Sequence, residues 1–338
     1  MKLNEQEIRS AVWGAVRVCT EEGGIGFHRF TEAEEALYRE IHTEHKTKTL
    51  ASSGVRLVFR TDSSTLRLAA EFLPGTSRSY YSLDVLTDGA YVGSIRNYEP
   101  EEMIPDYTAM PMPLGLAEGS FDLGAGEKTI TVVLPWSVRT VLKELVLEEG
   151  ASFEPVRPEK KLLVYGDSIT QGYDALRPSC RYAALLADSL GTEEINKAIG
   201  GEVFFPELAS CDTGVDAPDY ISVAYGTNDW KIIPEQEFEE NCEAFYRILS
   251  EKYPMAKIFA ITPIWRKDIP DLPDRRPFHL VGDYIRKVAA ALPNVTVIEG
   301  WNFVPKDESY FADLRLHPND KGFAEYHKNL WKEVESYF

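Results

Sequence analysis

The stretch Lys161–Gly172, KLLVYGDSITQG, decides the fold of the second half of the chain. It opens on a short apolar run, which is typical of a strand buried on both faces of a parallel sheet. The run ends at GDSITQG, where Ser168 stands between two glycines. Ligands of open α/β sheets bind beyond the carboxyl ends of the strands. The sequence therefore predicts a ligand-binding turn at Gly166–Gly172.

Strand-like and helix-like segments alternate after this turn. Apolar runs of strand length alternate with longer amphipathic segments, and this order predicts a parallel sheet with helices on both faces. The predicted strands are 161–165, 220–225, 257–263 and 295–299, and the predicted helices are 182–190, 234–253, 280–292 and 320–337.

The first half of the chain has strand patterns of a different kind. Short alternating segments are separated by turn residues, and Asp88-Gly89 is a hairpin signal because that turn needs positive φ. The capping-box pattern of Thr31–Glu34 predicts one helix. We therefore expect an all-β, jelly-roll-like sandwich over residues 1–155, a proline-containing linker at 154–160 and an α/β domain over 161–338.

Composition and charge exclude several classes of protein. The 338 residues carry 36 Lys and Arg against 54 Asp and Glu, a net charge of −18. An acidic surface repels phosphate and anionic lipid, so we expect no nucleic-acid partner and no membrane partner. The sequence starts with no apolar signal segment, and its four cysteines are widely spaced. We expect a cytoplasmic protein with reduced thiols.

Three further motifs follow later strands. The paired glycines of NKAIGGE (196–202) let backbone amides approach a substrate oxygen. The amide of Asn228 in GTNDW can donate to an anion. His317 in DLRLHPND can act as a general base, with Asp313 orienting its other ring nitrogen. Each motif taken alone also fits a turn or a helix cap.

In the order Ser, Gly, Asn and His, the four motifs resemble those of the SGNH (GDSL-type) hydrolase superfamily over about residues 161–338. The resemblance implies a flavodoxin-like three-layer α/β/α fold. It also implies Ser168 as nucleophile and His317 as base, with an oxyanion hole formed by the backbone N–H groups of Ser168 and Gly201 and the side chain of Asn228. The spacing from Ile199 favours Gly201 over Gly200.

The orienting acid departs from the superfamily pattern. That pattern places the acid three residues before the histidine, whereas Asp313 stands four residues before His317. Asp313 and a backbone carbonyl both stay candidates for orienting the ring. Asp320, three residues after His317, is predicted to cap the last helix.

A β-sandwich ahead of such a domain resembles the architecture of the two-domain acetylesterases related to carbohydrate esterase family 2. This implies a serine esterase for small acyl esters, acetyl esters of an oligosaccharide in particular. It needs no cofactor and no metal. The rings of Trp230, Trp265 and Tyr173 lie near the strand ends and are predicted either to stack on sugar or to pack in the core.

Other functions remain open at this point. A lysophospholipase or thioesterase of the same superfamily would use the same machinery. A flavodoxin-like protein could bind phosphate or a flavin at GDSITQG, although Asn228 and His317 would then have no role. A carbohydrate-binding protein that has lost catalysis is a third alternative.

Overall fold

The computed structural model describes residues 1–21, 23–103, 107, 110–271 and 276–338. Within these residues the strands are β1 (Val12–Trp13), β2 (Arg17–Glu21), β3 (Gly24–His28), β4 (Arg56–Thr61), β5 (Thr65–Pro74), β6 (Ser82–Thr87), β7 (Ala90–Arg96), β8 (Gly115–Asp122), β9 (Lys128–Val133), β10 (Val138–Leu147), β11 (Glu154–Pro155), β12 (Lys160–Gly166), β13 (Thr192–Asn196), β14 (Tyr220–Ala224), β15 (Lys257–Ile261) and β16 (Val295–Ile298). The α-helices are α1 (Glu5–Ala11), α2 (Glu32–Glu40), α3 (Ser168–Gln171), α4 (Tyr182–Leu190), α5 (Pro206–Ser210), α6 (Thr227–Ile232), α7 (Glu235–Lys252), α8 (His279–Ala289) and α9 (Asp320–Val334).

Two antiparallel sheets form a sandwich in the first half. One sheet has the order β1-β4-β9-β6-β7, with β11 beside β4, and the other has the order β2-β3-β10-β5-β8. Their inner faces share one core, to which the first sheet contributes Leu57 and Phe59 and the second contributes Leu68 and Leu145. The predicted β-sandwich is confirmed.

The first half differs from the prediction in its helices and in one strand. Helix α2 begins with the predicted capping box of Thr31 and Glu34. Helix α1 was not predicted, although Asn4 and Glu7 form the same kind of cap and could have indicated it. Strand β8 was also missed, because it lies at a sheet edge and half of its side chains face solvent.

The expected linker at 154–160 is tied to the sandwich. Strand β11 pairs with β4, and the Val156 N–H donates to Val58 O over 3.1 Å. The Trp13 indole N–H donates to Val156 O over 2.6 Å. The segment therefore continues the first sheet as far as Val156.

The parallel sheet of the second half has the order β13-β12-β14-β15-β16, which is the flavodoxin-like order 2-1-3-4-5. Alternate residues of β12 point to opposite covered faces. Leu163 and Tyr165 pack with α7, whereas Leu162 and Val164 pack with α4 and α9. Both faces are buried, so the predicted α/β/α fold is confirmed. No helix among the described residues has the length and apolar character needed to cross a membrane.

Buried ionic groups join the two halves. Lys197 Nζ lies 2.6 Å from Glu34 Oε2, and neither side chain is exposed. The buried guanidinium of Arg29 donates to Asn196 O over 2.6 Å and to Ala198 O over 3.1 Å. A buried charge is stable only while its partners stay in place, so these contacts hold the sandwich against the loop after β13.

Candidate active site

The predicted nucleophile lies at the start of a short helix. Ser168 is the first residue of α3 and is 5% exposed. Its backbone N–H therefore has no partner within the helix. Asp167 caps α3 by accepting the Ile169 N–H over 2.9 Å, and burial raises the pKa of this carboxyl to about 6. The turn thus provides a hydroxyl and, among the described residues, a backbone N–H with no acceptor.

His317 comes from a loop 149 residues later. Its Nε2 lies 2.8 Å from Ser168 Oγ, which is a suitable distance for proton transfer.

The loop that carries His317 ends at α9, which is capped by Asn319 rather than by Asp320. Asp320 instead accepts the Leu176 N–H over 2.8 Å. The prediction that Asp320 caps the last helix is wrong, because its buried carboxylate faces a different loop.

Asp313 reaches the other nitrogen of the imidazole. Its Oδ2 lies 3.0 Å from His317 Nδ1, and its Oδ1 accepts the backbone N–H groups of Arg315, Leu316 and His317. The extra residue in the spacing is absorbed by Leu314, whose φ of 60° is left-handed. Burial alone would raise the pKa of Asp313, but the hydrogen bonds from His317 and the backbone outweigh it and lower the pKa to about 2.

A second carboxylate, from Asp174, contacts the same nitrogen. Its Oδ2 lies 3.1 Å from His317 Nδ1. Arg78 donates to both carboxylate oxygens, over 2.7 and 3.1 Å, and the Tyr80 hydroxyl also donates to one of them. Burial alone would raise the pKa of Asp174, but His317 and Arg78 hold it well below its usual range.

Sequence reasoning missed Asp174. It lies outside the GDSITQG motif, and no spacing rule pairs it with a histidine so far along the chain. Its partners Arg78 and Tyr80 come from the sandwich, so only the folded structure brings the group together. One local signal exists in the structure, because Asp174 has a φ of 70°, a strained conformation for a non-glycine residue.

The two carboxylates determine the charge of the imidazole. Burial alone would lower the pKa of His317, but Asp174 and Asp313 outweigh it and raise the pKa to about 9. Both carboxylates face Nδ1, so they favour a proton on that nitrogen and leave Nε2 to accept one from Ser168.

The loop after β13 carries the predicted oxyanion donors. The Gly200 N–H donates to Gln171 Oε1 over 2.7 Å. Among the described residues, the Gly201 N–H has no acceptor, so the geometry favours Gly201 over Gly200 as a donor. Asn228 uses one amide hydrogen to donate to Glu202 O over 2.9 Å, and the second hydrogen is left for a ligand.

Asp229 fixes Asn228 beside this loop. Its buried carboxylate accepts the N–H groups of Gly226 and Phe204, each over 3.0 Å. Burial raises the pKa of this carboxyl to about 7. Helix α6 is therefore attached to the segment that follows Glu202, and its first turn carries Asn228.

Two of the three predicted aromatic platforms are buried. Trp230 is 2% exposed and packs against Phe278, with ring centroids 5.0 Å apart. Tyr173 is 4% exposed and lies beside His317, with centroids 5.7 Å apart. A sugar cannot stack on rings buried to this extent, so the core-packing interpretation fits Trp230 and Tyr173. Trp265 is partly exposed and contacts Phe311 edge-on.

The second half of the chain matches a known family. Residues 164–324 match the GDSL-like lipase/acylhydrolase family. An isoamyl acetate-hydrolyzing esterase 1 homolog from Bos taurus is 25% identical to this chain, over 52% of this chain and 81% of that protein. The resemblance to GDSL-type hydrolases is confirmed.

Solved structures share the whole two-part fold. A salicylyl-acyltransferase from a tetracycline biosynthetic pathway has a TM-score of 0.77 and 23% identity, covering 96% of this chain and 94% of that one. A family two carbohydrate esterase from Clostridium thermocellum has a TM-score of 0.66 and 13% identity, covering 96% and 98%. An acetyl xylan esterase from Butyrivibrio proteoclasticus has a TM-score of 0.60 and 16% identity, covering 100% and 98%. The sandwich and the α/β/α half therefore recur together.

Proposed function

We propose that this enzyme, a hydrolase whose residues 164–324 match the GDSL-like lipase/acylhydrolase family, is a serine esterase for small acyl esters. The observation that carries the proposal is the 2.8 Å contact between Ser168 Oγ and His317 Nε2. A phosphate or flavin cradle, or a carbohydrate-binding protein, would leave this hydrogen-bonded pair without a role.

The reaction begins at the hydroxyl of Ser168. As Oγ attacks the ester carbonyl carbon, its proton moves to His317 Nε2. The resulting oxyanion accepts hydrogen bonds from the N–H groups of Ser168 and Gly201 and from the Asn228 amide. One such donor is worth on the order of 10²–10³ in rate.

Collapse of the tetrahedral intermediate breaks the bond between the carbonyl carbon and the alcohol oxygen. His317 gives its proton to that oxygen, the alcohol leaves, and the acyl group stays on Ser168. Water then attacks the acyl-enzyme with His317 again as base, which releases the carboxylic acid. Asp174 and Asp313 hold the ring in place and stabilise its positive charge in both steps.

The carboxylate pair predicts an alkaline pH profile. The imidazole must be neutral to accept the Ser168 proton, and its pKa is about 9. We therefore expect kcat/KM to rise with pH, with the ascending limb well above neutrality. Asp174→Asn removes a negative charge beside the ring and lowers the pKa of His317, so the limb should move to lower pH. Initial rates with p-nitrophenyl acetate between about pH 6 and about pH 10 measure both curves.

A matched control separates charge at the ring from charge elsewhere. Asp84 is also a buried carboxylate, but its partners are Ser82, Ser179 and Arg177. Asp84→Asn should leave the position of the limb unchanged. A wild-type limb below neutrality, or an upward shift in Asp174→Asn, would contradict the proposed role of the pair.

We propose acetylated carbohydrate as the substrate class. The supporting observations are the shared fold with carbohydrate esterases and the partly exposed ring of Trp265, which can stack on a sugar. A panel of acetylated xylo-oligosaccharides, short-chain p-nitrophenyl esters and lysophospholipids tests the class. We expect acetate release from the sugars and negligible lysophospholipid hydrolysis.

Trp265→Ala tests whether the ring of Trp265 stacks on the sugar of the substrate. Loss of stacking on one sugar is expected to lower kcat/KM for the acetylated sugar by about tenfold. Activity on p-nitrophenyl acetate should change little, because that substrate has no sugar ring. Equal losses on both substrates would show that Trp265 only supports the packing around Phe311.

A further inference from the structure

A segment of the sandwich half, residues 42–48, contacts the loop that carries Gly201. The ammonium of Lys48 donates to Gly200 O, and its Nζ also lies 3.1 Å from His45 Nδ1. His42 Nδ1 lies 3.0 Å from Glu202 Oε1. Both chain neighbours of Gly201 are thus held by side chains from the other half, while the Gly201 N–H itself is left without an acceptor among the described residues.

The Lys48 contact determines where the Gly201 N–H points. The Gly200 carbonyl and the Gly201 N–H belong to one planar trans peptide group, so they point in opposite directions. A cation that holds the carbonyl on one side aims the N–H to the other side. A hydrogen bond to a carbonyl oxygen also polarises the peptide group and strengthens its N–H as a donor.

Gly201 is closely covered on this side. Its φ of 91° is left-handed, and a Cβ placed there would lie 3.3 Å from His45 Cε1 and 3.5 Å from Lys48 Nζ. Glycine adopts this conformation without strain, whereas a residue with a side chain would not. His45 and Lys48 therefore bound the space next to Gly201 on the side of the sandwich half.

Lys48 is itself held against the loop. Arg29 is fully buried and donates to Lys48 O over 3.1 Å, while the same guanidinium donates to Ala198 O over 3.1 Å. One rigid group thus fixes the backbone of Lys48 relative to the segment that leads into Gly200. The position of the ammonium is set by the fold rather than by a mobile surface chain.

We infer that Lys48 is a positioning residue for the oxyanion hole, and that it acts by orienting and polarising the Gly200–Gly201 peptide. The inference rests on the proposed esterase function. It assigns the sandwich half a part in catalysis, because acylation and deacylation both pass through an oxyanion that the Gly201 N–H would stabilise.

Lys48→Met tests this role, since methionine keeps the aliphatic chain and removes the donor. With p-nitrophenyl acetate we expect kcat to fall by about 10- to 100-fold, less than the full value of one oxyanion donor. KM should rise by less than about twofold, because the lost interaction is specific to the transition state. Lys48→Arg retains a cationic donor and should recover part of the lost kcat.

Lys46→Met is the matched control, because Lys46 is exposed in the same segment. It should retain wild-type kcat. Turnover of p-nitrophenyl acetate by the wild type and by Ser168→Ala is measured first. If the wild type shows no turnover that depends on Ser168, the proposed esterase function fails before any Lys48 variant is compared. A kcat for Lys48→Met within about twofold of wild type would overturn the inference. A rise in KM at constant kcat would also overturn it, since that result means substrate binding rather than positioning.

If Lys48→Met folds poorly, Lys48→Gln replaces it in the comparison of kcat with wild type. Glutamine is polar but uncharged, so it removes the cation and keeps a weaker donor. We expect the kcat of Lys48→Gln to lie between those of wild type and Lys48→Met at a similar melting temperature. A Lys48→Gln variant with wild-type stability and wild-type kcat, together with no recovery in Lys48→Arg, would exclude the positioning role.

Discussion

Ser168→Ala is expected to lower kcat/KM for p-nitrophenyl acetate by about 10⁴-fold or more. The substitution removes the only atom of the proposed site that can form the acyl-enzyme. It should leave the fold intact, because α3 is capped by Asp167 and the Ser168 hydroxyl bonds to His317 alone among the described residues. Steady-state kinetics and thermal unfolding measure the two effects separately.

The chain offers a matched control in a second serine and histidine pair. Ser189 Oγ lies 2.9 Å from His327 Nε2 on the surface between α4 and α9. Ser189→Ala should keep full activity, and a fluorophosphonate probe should label the wild type and Ser189→Ala but leave Ser168→Ala unlabelled. Labelling of another residue, or substantial turnover by Ser168→Ala, would refute the proposed nucleophile.

Removing both carboxylates from His317 is expected to have the second largest effect. Asp174 and Asp313 lie 3.1 and 3.0 Å from the same nitrogen, so each can orient the ring when the other is replaced. We expect Asp174→Asn or Asp313→Asn alone to lower kcat by about 10-fold, and the double variant by about 10⁴-fold, which is more than the product of the two single losses. Kinetics of the four proteins complete a double-mutant cycle.

The cycle also shows which carboxylate is dominant. Losses from the single variants that simply multiply would mean that the two carboxylates act independently. One single variant as inactive as the double variant would identify its carboxylate as the sole orienting acid. Asp174→Asn should in addition lower stability, because it leaves the partly buried Arg78 without its ion pair. Asp84→Asn again controls for the loss of a buried carboxylate away from the ring.

Short motifs at strand ends were enough to predict which residues meet in the second half. The local pattern predicted the Ser168 turn and the His317 loop, and both lie at the carboxyl edge of the sheet because parallel strands direct their ends to one side. The spacing of Asp313 could not be interpreted in the same way. Its contact depends on the left-handed backbone of Leu314, which no residue preference would have indicated.

Contacts between the two halves were beyond sequence reasoning. Asp174 depends on Arg78 and Tyr80, and Gly200 depends on Lys48, in each case across a large separation along the chain. These contacts have no periodicity and no motif, because they arise where two separately patterned folds meet. For the same reason, the sequence could not decide whether Trp230 stacks on a sugar or packs in the core. Its buried position beside Phe278 and Arg266 is set by tertiary packing.

The buried ion pair of Lys197 and Glu34 also constrains how the protein can be engineered or can diverge. Exchanging one half for that of a relative would leave a buried ammonium or carboxylate without its counter-ion unless the partner residue is transferred as well. Chimaeras of this architecture should therefore be designed with crossover points that keep such partners together. Substitutions on either side of the contact between the halves are expected to be accepted in complementary pairs.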